Sequence, residues 1–289
     1  MSLSLIVNSN NVQTDGLNTH FQYKFISGSL NVPENTEMCI SNVTIPYSWF
    51  NLNLQVYNNT IFSYTFPSSS GQETFSVTIP NGNYSVNDIN NYLQTVMITN
   101  GQYLVTSAGL YVYYITLAYD STFYAVQLVT YAVPTSLPTG YLNPSGMTFP
   151  TVASTPQLVI SSSYNFGSII GFTSGTYPST VETSNVSTLS NTVPNGAPVN
   201  ALIMRCNLID NNVTMPSDIV DSIPINAVFG ANITYQPTFP KWLKVRAGRY
   251  AFMNISLVDQ NLNAIQAVDS NLLITLLLKF PSAINTTGK

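Results

Sequence analysis

The stretch EMCISNVTIP, residues 37–46, decides the fold class of this chain, because its side chains alternate with a period of two. The alternation predicts a long β-strand. We expect one face to carry Met38, Ile40, Asn42 and Thr44, and the other to carry Cys39, Ser41, Val43 and Ile45. Pro46 is expected to end the regular ladder, because proline has no N–H to donate. The segment therefore predicts a β-protein.

The same alternation recurs on both sides of this stretch. Further strands are predicted at 20–30, 60–66 and 73–80, twice within 109–133, from 157, and at 201–210, 225–237, 249–260 and 271–280. The last, NLLITLLLKF, is apolar on both faces and is expected to be a central strand covered on both sides. Ten or eleven strands without a βαβ rhythm predict an all-β jelly-roll sandwich of two antiparallel sheets.

One helix interrupts the strand patterns. In YSVNDINNYLQTVM, Ser85 is placed as the N-cap and Asp88 can complete a capping box. An apolar stripe at helical spacing follows, made of Val86, Ile89, Leu93, Val96 and Met97. Asn100 and Gly101 are expected to end the helix. We place it in a connection between strands.

Two long segments rich in Pro, Ser and Thr differ from the strands. Residues 133–156 hold five prolines and no charge, and residues 176–198 are similar in composition. Length alone allows one large β-domain or two small ones among the 289 residues. We predict a single jelly-roll domain over 1–289, with these two segments as loop insertions outside the core.

Charge is scarce and uneven. Charged residues make up 7% of the chain, against about 25% in an ordinary soluble domain. No Lys or Arg occurs between Lys24 and Arg205. A surface of Asn, Ser, Thr and Tyr is poorly protected against association, which suits a subunit of a crowded shell. The net charge of −4 argues against a dedicated nucleic-acid binder.

Half of the eight basic residues crowd into KWLKVRAGR, residues 241–249. They are Lys241, Lys244, Arg246 and Arg249. Three interpretations stay open: a solvated face, a subunit contact that pairs with acids such as Asp218 or Asp221, and a contact with packaged DNA or an inner membrane. Four cations give a small, salt-sensitive attraction to phosphate, which does not by itself predict a nucleic-acid binder.

Residues that could carry catalysis or bind metal are sparse. His20 is the single histidine and is expected at a strand end. Cys39 and Cys206 lie far apart in apolar runs and are predicted to be buried thiols. The spacing of the acids around Asp218 and Asp221 matches no calcium loop. We predict no catalytic residue, no metal and no cofactor.

Seven segments together resemble the minor capsid or penton proteins of virophages, Polinton-type elements and related icosahedral double-stranded DNA viruses. They are CISNVTIPYSWFNL (39–52), FSVTIPNGNYSVNDINNYLQ (75–94), NFGSIIGFTSGTYP (165–178), ALIMRCNLIDNN (201–212), INAVFGANITYQP (225–237), FPKWLKVRAGRYAFMNISLVDQNLNAI (239–265) and NLLITLLLKF (271–280). One departure is Asn263, where that family often has glycine after the turn at Asp259; asparagine tolerates the same left-handed geometry.

The resemblance implies a structural virion protein without catalytic residues. It implies a single jelly roll present as a homopentamer at each five-fold vertex, among trimers of a major capsid protein. Outward loops would serve host attachment, through a fibre or a receptor. The N-terminus lacks a basic, apolar leader, so we expect synthesis in the host cytoplasm and a location in the virion, at the vertex of the capsid.

Three other functions compete with a penton. A peripentonal or cement protein of the same capsid would use the same jelly roll. A lectin-like or adhesin module would share the aromatic residues and the polar loops. A glycan-degrading enzyme would need a pair of carboxylates in an aromatic groove, and the sequence singles out no such pair.

Overall fold

The computed structural model describes residues 2–281 and is an all-β protein, as predicted. Every pairing between its named strands is antiparallel. The chain divides into two compact units. Unit 1 comprises residues 1–50 and 199–289, and unit 2 comprises residues 51–198. A single domain over 1–289 stays a prediction.

The strands before residue 50 are β1 (Ser2–Asn8), β2 (His20–Lys24), β3 (Leu30–Val32) and β4 (Glu37–Pro46), with a 3-10 helix at Ser9–Asn11. Unit 2 contains α1 (Leu54–Tyr57), β5 (Ile61–Ser68), β6 (Gly71–Thr78), α2 (Val86–Thr99), β7 (Leu104–Thr106), β8 (Tyr111–Val112), β9 (Ile115–Asp120), β10 (Ala125–Thr130), β11 (Tyr141–Leu142), β12 (Gln157–Ile160), α3 (Phe166–Ile170), β13 (Gly175–Tyr177) and β14 (Val186–Leu189). The strands that complete unit 1 are β15 (Ala201–Cys206), β16 (Ile219–Pro224), β17 (Asn232–Tyr235), β18 (Leu243–Lys244), β19 (Gly248–Tyr250), β20 (Phe252–Asp259) and β21 (Leu273–Lys279).

Unit 1 is a jelly roll by its strand pairing. Eight of its strands form two sheets, in the orders β1-β21-β4-β17 and β16-β15-β20-β2. The first of the eight pairs with the last, the second with the seventh, the third with the sixth and the fourth with the fifth. This nested pairing is that of one long hairpin wrapped into a sandwich of two Greek keys. The predicted jelly roll is therefore confirmed, and unit 1 alone closes it.

The core of unit 1 combines side chains of both sheets in one apolar cluster. From β4 it takes Met38, Ile40, Val43 and Ile45, all buried. The prediction that Met38 and Ile40 face away from Val43 and Ile45 is therefore wrong. The register explains the error: Leu276 pairs with Ile40 but Thr275 pairs with Asn42, which leaves Ser41 as the extra residue of a β-bulge.

The strand β21 lies between β1 and β4, so its predicted central place is confirmed. Only one face of β21 is buried, however. Ile274, Leu276 and Leu278 are buried. Leu273 on the other face is exposed and Leu277 is only half-buried, so the predicted cover on both sides is wrong. The outer face of a two-layer sandwich has no third layer above it, and apolar side chains there are shielded only by their neighbours.

The turn after β20 differs from the expected left-handed Asn263. Leu262 takes the positive φ, of 66°. Asn263 instead donates its backbone N–H to Asp259 Oδ1 and its side-chain amide to Asp259 Oδ2, at 2.7 and 3.1 Å. The Asp259 carboxylate is buried and organises the turn, which gives the aspartate a structural role.

Unit 2 has a core of its own. Its sheets have the orders β13-β12-β5-β6, β14-β10-β9 and β11-β7-β8. The segment 157–172, predicted to be strand, is strand only to Ile160; its second half is α3. Phe166 of α3 stacks on Phe62 of β5 with ring centroids 4.3 Å apart. Burial of this ring favours a short helix over a continued strand.

The predicted helix is confirmed as α2. Ser85 caps it: its Oγ accepts from the Asp88 N–H, and Asp88 Oδ2 accepts from the Ser85 N–H. The Ser85 hydroxyl also donates to Asp88 Oδ2, at 2.6 Å, and this bond, followed by that from the Ser85 N–H, lowers the pKa of Asp88 below its ordinary value. Three stripe residues are fully buried in the core of unit 2: Ile89, Leu93 and Met97. The shorter helices α1 and α3 were not predicted.

Both predicted insertions lie inside unit 2, and part of each belongs to its framework. Val133 and Met147 are buried members of the apolar cluster, so the expectation that 133–156 stays outside the core is wrong for these side chains. Within 176–198, β14 pairs with β10. Their status as insertions into a single jelly roll stays a prediction.

The two ends of unit 2 are joined by the side chain of Asn51, which is only 5% exposed. Its amide nitrogen donates to the carbonyls of Tyr84 and Gly196, each at 2.8 Å. Its amide oxygen accepts from the Tyr84 N–H, also at 2.8 Å. Asn59 donates to the Asn51 carbonyl at 2.8 Å. One buried residue thus connects the beginning of the unit with its last turn.

We expect Asn51→Ala to lower the stability of unit 2 by about 2 kcal/mol, because the carbonyls of Tyr84 and Gly196 and the Tyr84 N–H lose the buried amide that pairs with them. The measurement is amide hydrogen exchange by mass spectrometry, in which peptides of 51–198 should exchange roughly thirtyfold faster. The matched control is Asn91→Ala on the exposed face of α2. Equal protection in the two variants would contradict the role of Asn51.

Candidate functional site

The basic residues of unit 1 gather at one end of the sandwich. The strand pairings bring the end of β2 next to the start of β20, and the start of β4 next to the ends of β18 and β21. The connections 25–36, 207–218 and 236–251 lie at this end. We call it the basic end, and it holds every Lys and Arg of residues 2–281: Lys24, Arg205, Lys241, Lys244, Arg246, Arg249 and Lys279.

Asp221 joins two partners at the basic end. Its side chain is only 10% exposed. One oxygen accepts from Lys241 Nζ at 2.7 Å, and the other from the Tyr235 hydroxyl at 2.6 Å. The hydrogen bond to Asp221 raises the pKa of Lys241 above its ordinary value. Desolvation by burial, followed by the bond to Asp221, raises the pKa of Tyr235, so both donors stay protonated at neutral pH.

Asp218 is held in a second ion pair. Arg205 Nε and Nη2 donate to its two carboxylate oxygens at distances of 2.9–3.2 Å. This forked arrangement is the strong geometry for arginine and a carboxylate. Asp218 and Asp221 therefore both have cationic partners inside the same chain. Either acid would have to give up a bond to pair with a second chain, and the predicted pairing across a subunit contact stays a prediction.

The other cations of residues 241–249 are not held in a close ion pair by any described residue. Arg246 Nε lies 3.5 Å from Asp210, and Arg249 donates to the Ser29 hydroxyl at 2.7 Å. Lys244 is exposed, and its ammonium has no partner among the described residues. The backbone holds it in place, because its carbonyl accepts from Asp210. Lys244 is thus the member of the cluster most available to another molecule.

The single histidine forms a local pair with an acid. His20 Nδ1 is 2.5 Å from Asp15 Oδ2, a partner that the sequence analysis missed. Ser256 is opposite His20 in the strand pairing, but its hydroxyl makes no hydrogen bond to the imidazole. A nucleophilic triad needs that bond. These three described residues do not form one.

The cysteines are buried, as predicted. Cys39 and Cys206 are free thiols in the core region of unit 1. Burial raises the pKa of Cys206 to about 12 and raises that of Cys39 above its ordinary value. Among residues 2–281 no group of three His, Cys, Asp or Glu side chains is arranged to hold a metal ion. None of the helices described is long and apolar enough to span a membrane.

Comparisons with known proteins found solved structures that are similar to this chain, among them the following two. The crystal structure of the mavirus penton protein is 9% identical with a TM-score of 0.45, over 97% of this chain and 99% of that one. A chain of the Sputnik virophage structure, solved by cryo-electron microscopy, is 13% identical with a TM-score of 0.37, over 96% and 97%. No family model and no curated protein matches. Since both TM-scores lie below 0.5, the jelly-roll assignment rests on the strand pairing alone.

We expect iodoacetamide at pH 8 to leave both native cysteines unmodified, because their thiols are shielded and the raised pKa of Cys206 keeps it protonated. Intact-mass spectrometry should show two additions only in concentrated guanidinium chloride. The exposed variant Ser70→Cys serves as a positive control for the reagent. Rapid alkylation of the native wild-type chain would contradict the burial of these side chains.

Proposed function

We propose that the chain is a structural capsid subunit, the penton of an icosahedral virus, which assembles as a homopentamer at the five-fold vertices. The single observation that carries this proposal is the closed jelly roll of unit 1, in which eight strands pair in nested order. Viral capsid proteins use this architecture, and so do some lectins and the cupins. The resemblance of seven sequence segments to penton and minor capsid proteins favours the capsid.

Exposed apolar side chains support assembly. Three residues at the basic end are almost fully exposed: Ile26, Val213 and Met215. Phe239 is 79% exposed and lies in another connection of that end. Exposed apolar side chains at one end of a domain favour a contact with another molecule, because such a contact removes them from water. A five-membered ring would cover them, because each of its interfaces joins one side of a subunit to a different side of the next.

The basic end supports a contact with other capsid components. Its cations are concentrated in unit 1, whereas residues 51–198 contain no Lys, Arg or His. Complementary charge steers association and fixes its register. We propose that Lys241, Lys244, Arg246 and Arg249 contact a neighbouring subunit, a trimer of the major capsid protein or the inner side of the particle.

Host attachment is proposed for unit 2, which contains both loop segments 133–156 and 176–198. Its surface is rich in Tyr, Asn, Ser and Thr, the residue types that adaptable recognition surfaces favour. A peripentonal or cement role in the same capsid is the second candidate, since it would use the same jelly roll and the same exposed apolar residues. We propose no enzymatic activity for either role.

We expect native mass spectrometry of the purified chain to give a species of five times the monomer mass, because a ring with one repeated interface closes at a defined number. Electron micrographs of the same sample should show five-fold rings. A trimer or a stable monomer at capsid-like concentrations would refute the penton. Either result would move the protein to the cement or peripentonal role.

We expect Lys244→Glu to weaken assembly by roughly tenfold or more, because a repulsive charge replaces a free cation at a contact. Thermal unfolding of the dissociated chain should change little, since the Lys244 ammonium has no partner in the described chain. Lys24→Glu is the matched control, at an exposed lysine of the same end that is not one of the four residues proposed to make the contact. Equal pentamer stability in wild type, K244E and K24E would show that the cluster is only a solvated face.

A further inference from the structure

Unit 2 contains a cavity of about 210 Å³ beside the sheet that holds β5 and β6. Phe66, Phe75 and Met147 form its apolar part, while Glu73, Gln102 and Ser145 are among its polar lining. Sites for drug-sized ligands usually occupy about 300–1,000 Å³. A cavity of this size therefore suits a ligand with a single ring.

Gln102 supplies an unused hydrogen-bond donor to this cavity. Its side chain is 96% buried, being only 4% exposed. Asn100 Nδ2 donates to the Tyr64 hydroxyl at 3.0 Å, and that hydroxyl donates to Gln102 Oε1 at 2.5 Å. This relay fixes the orientation of the Gln102 amide and leaves its Nε2 without an acceptor among the described residues.

The free amide of Gln102 is not sealed in the core. The buried unpaired side-chain atoms of the described chain are those of Trp49, Thr60 and Thr130, and Gln102 Nε2 is not one of them. Since Gln102 borders the cavity, its amide is directed into that space. A nearly buried donor without a partner is costly and is satisfied when a ligand oxygen accepts from it.

Two other lining residues, Glu73 and Phe75, supply an acceptor and a flat ring. Glu73 Oε1 accepts from the Ser68 hydroxyl at 2.7 Å, which leaves its second oxygen for a ligand hydroxyl. Phe75 stacks on Tyr64 with centroids 5.4 Å apart and an interplanar angle of 19°, so its ring is held in place. A fixed aromatic face offers a surface for the C–H groups of a sugar ring.

We propose that this cavity binds one neutral hexopyranose unit of a glycan. The sugar ring lies against Phe75, one of its hydroxyls donates to Glu73, and another accepts from Gln102. The charge of unit 2 favours a neutral sugar over an anionic one. Residues 51–198 contain no cation, and they contain four acids: Glu73, Asp88, Asp120 and Glu182. A carboxylated sugar or a nucleotide would find no counter-charge there. This binding goes beyond the capsid role and does not depend on it.

The test is saturation-transfer-difference NMR on the full chain. The probes are the methyl glycosides of galactose, glucose and mannose, with N-acetylneuraminic acid as the anionic comparison. We expect transfer to at least one neutral glycoside and none to the anionic sugar. Transfer to none of the three neutral probes overturns the proposal, and so does stronger transfer to N-acetylneuraminic acid.

Single substitutions test whether the sugar binds in this cavity. Glu73→Gln alters an exposed side chain and should lower the affinity for the neutral glycoside at least tenfold. Glu182→Gln makes the same change outside the cavity and should leave that affinity unchanged. Gln102→Met removes the free amide but also the acceptor of Tyr64, so it is interpreted only beside E73Q. Equal affinity for E73Q and E182Q overturns the site. Because E73Q should keep the native oligomeric mass, the failure of sugar binding and the failure of the capsid role are distinguishable.

Discussion

The hydrogen bonds of the Asn51 side chain are the constraint on which the rest of the chain depends, because they close residues 51–198 on themselves. A jelly roll must pass directly from its third strand, β4, to its fourth, β15. The entropic cost of that connection grows with the logarithm of its length when the connection is flexible. Here the connecting residues form a folded unit whose first residue bonds to Gly196. In its entropic cost, such a folded unit therefore resembles a short loop between β4 and β15.

The closing of the jelly roll then follows from the strand pairings at its centre. The last strand, β21, pairs with both β1 and β4, so the beginning and the end of the described chain meet in one sheet. Sequence periodicity located these strands, because alternation is a local property. The bulge at Ser41 was not predictable in this way: an extra residue exists only relative to the register of a partner strand. The face assignment of β4 consequently failed from Asn42 onward.

Other predictions also succeeded where they depended on residues close together in the sequence, and failed where they depended on residues far apart. The cap and stripe of α2 were predicted correctly because every contact that defines them lies within a few residues along the chain. The buried partner of Lys241 is Asp221, which the sequence named only as one candidate for a contact between subunits. Neither Asn51 nor Gln102 was singled out, since each is one of many amides in an Asn- and Gln-rich chain. Their importance comes from burial, and burial is decided by the fold.

The distribution of charge links the two units to two kinds of recognition. Unit 1 has all the described cations at one end of a rigid sandwich, several of them fixed by acids of their own chain. Paired charges with a free neighbour such as Lys244 form a surface of defined geometry, which suits repeated contacts in an assembly. Unit 2 has no cation, so selectivity there has to come from amides, hydroxyls and aromatic rings. Such groups distinguish neutral polar ligands by shape and hydrogen bonding. The absence of Lys and Arg over 51–198 thus leaves that unit without a side-chain cation to pair with an anionic ligand.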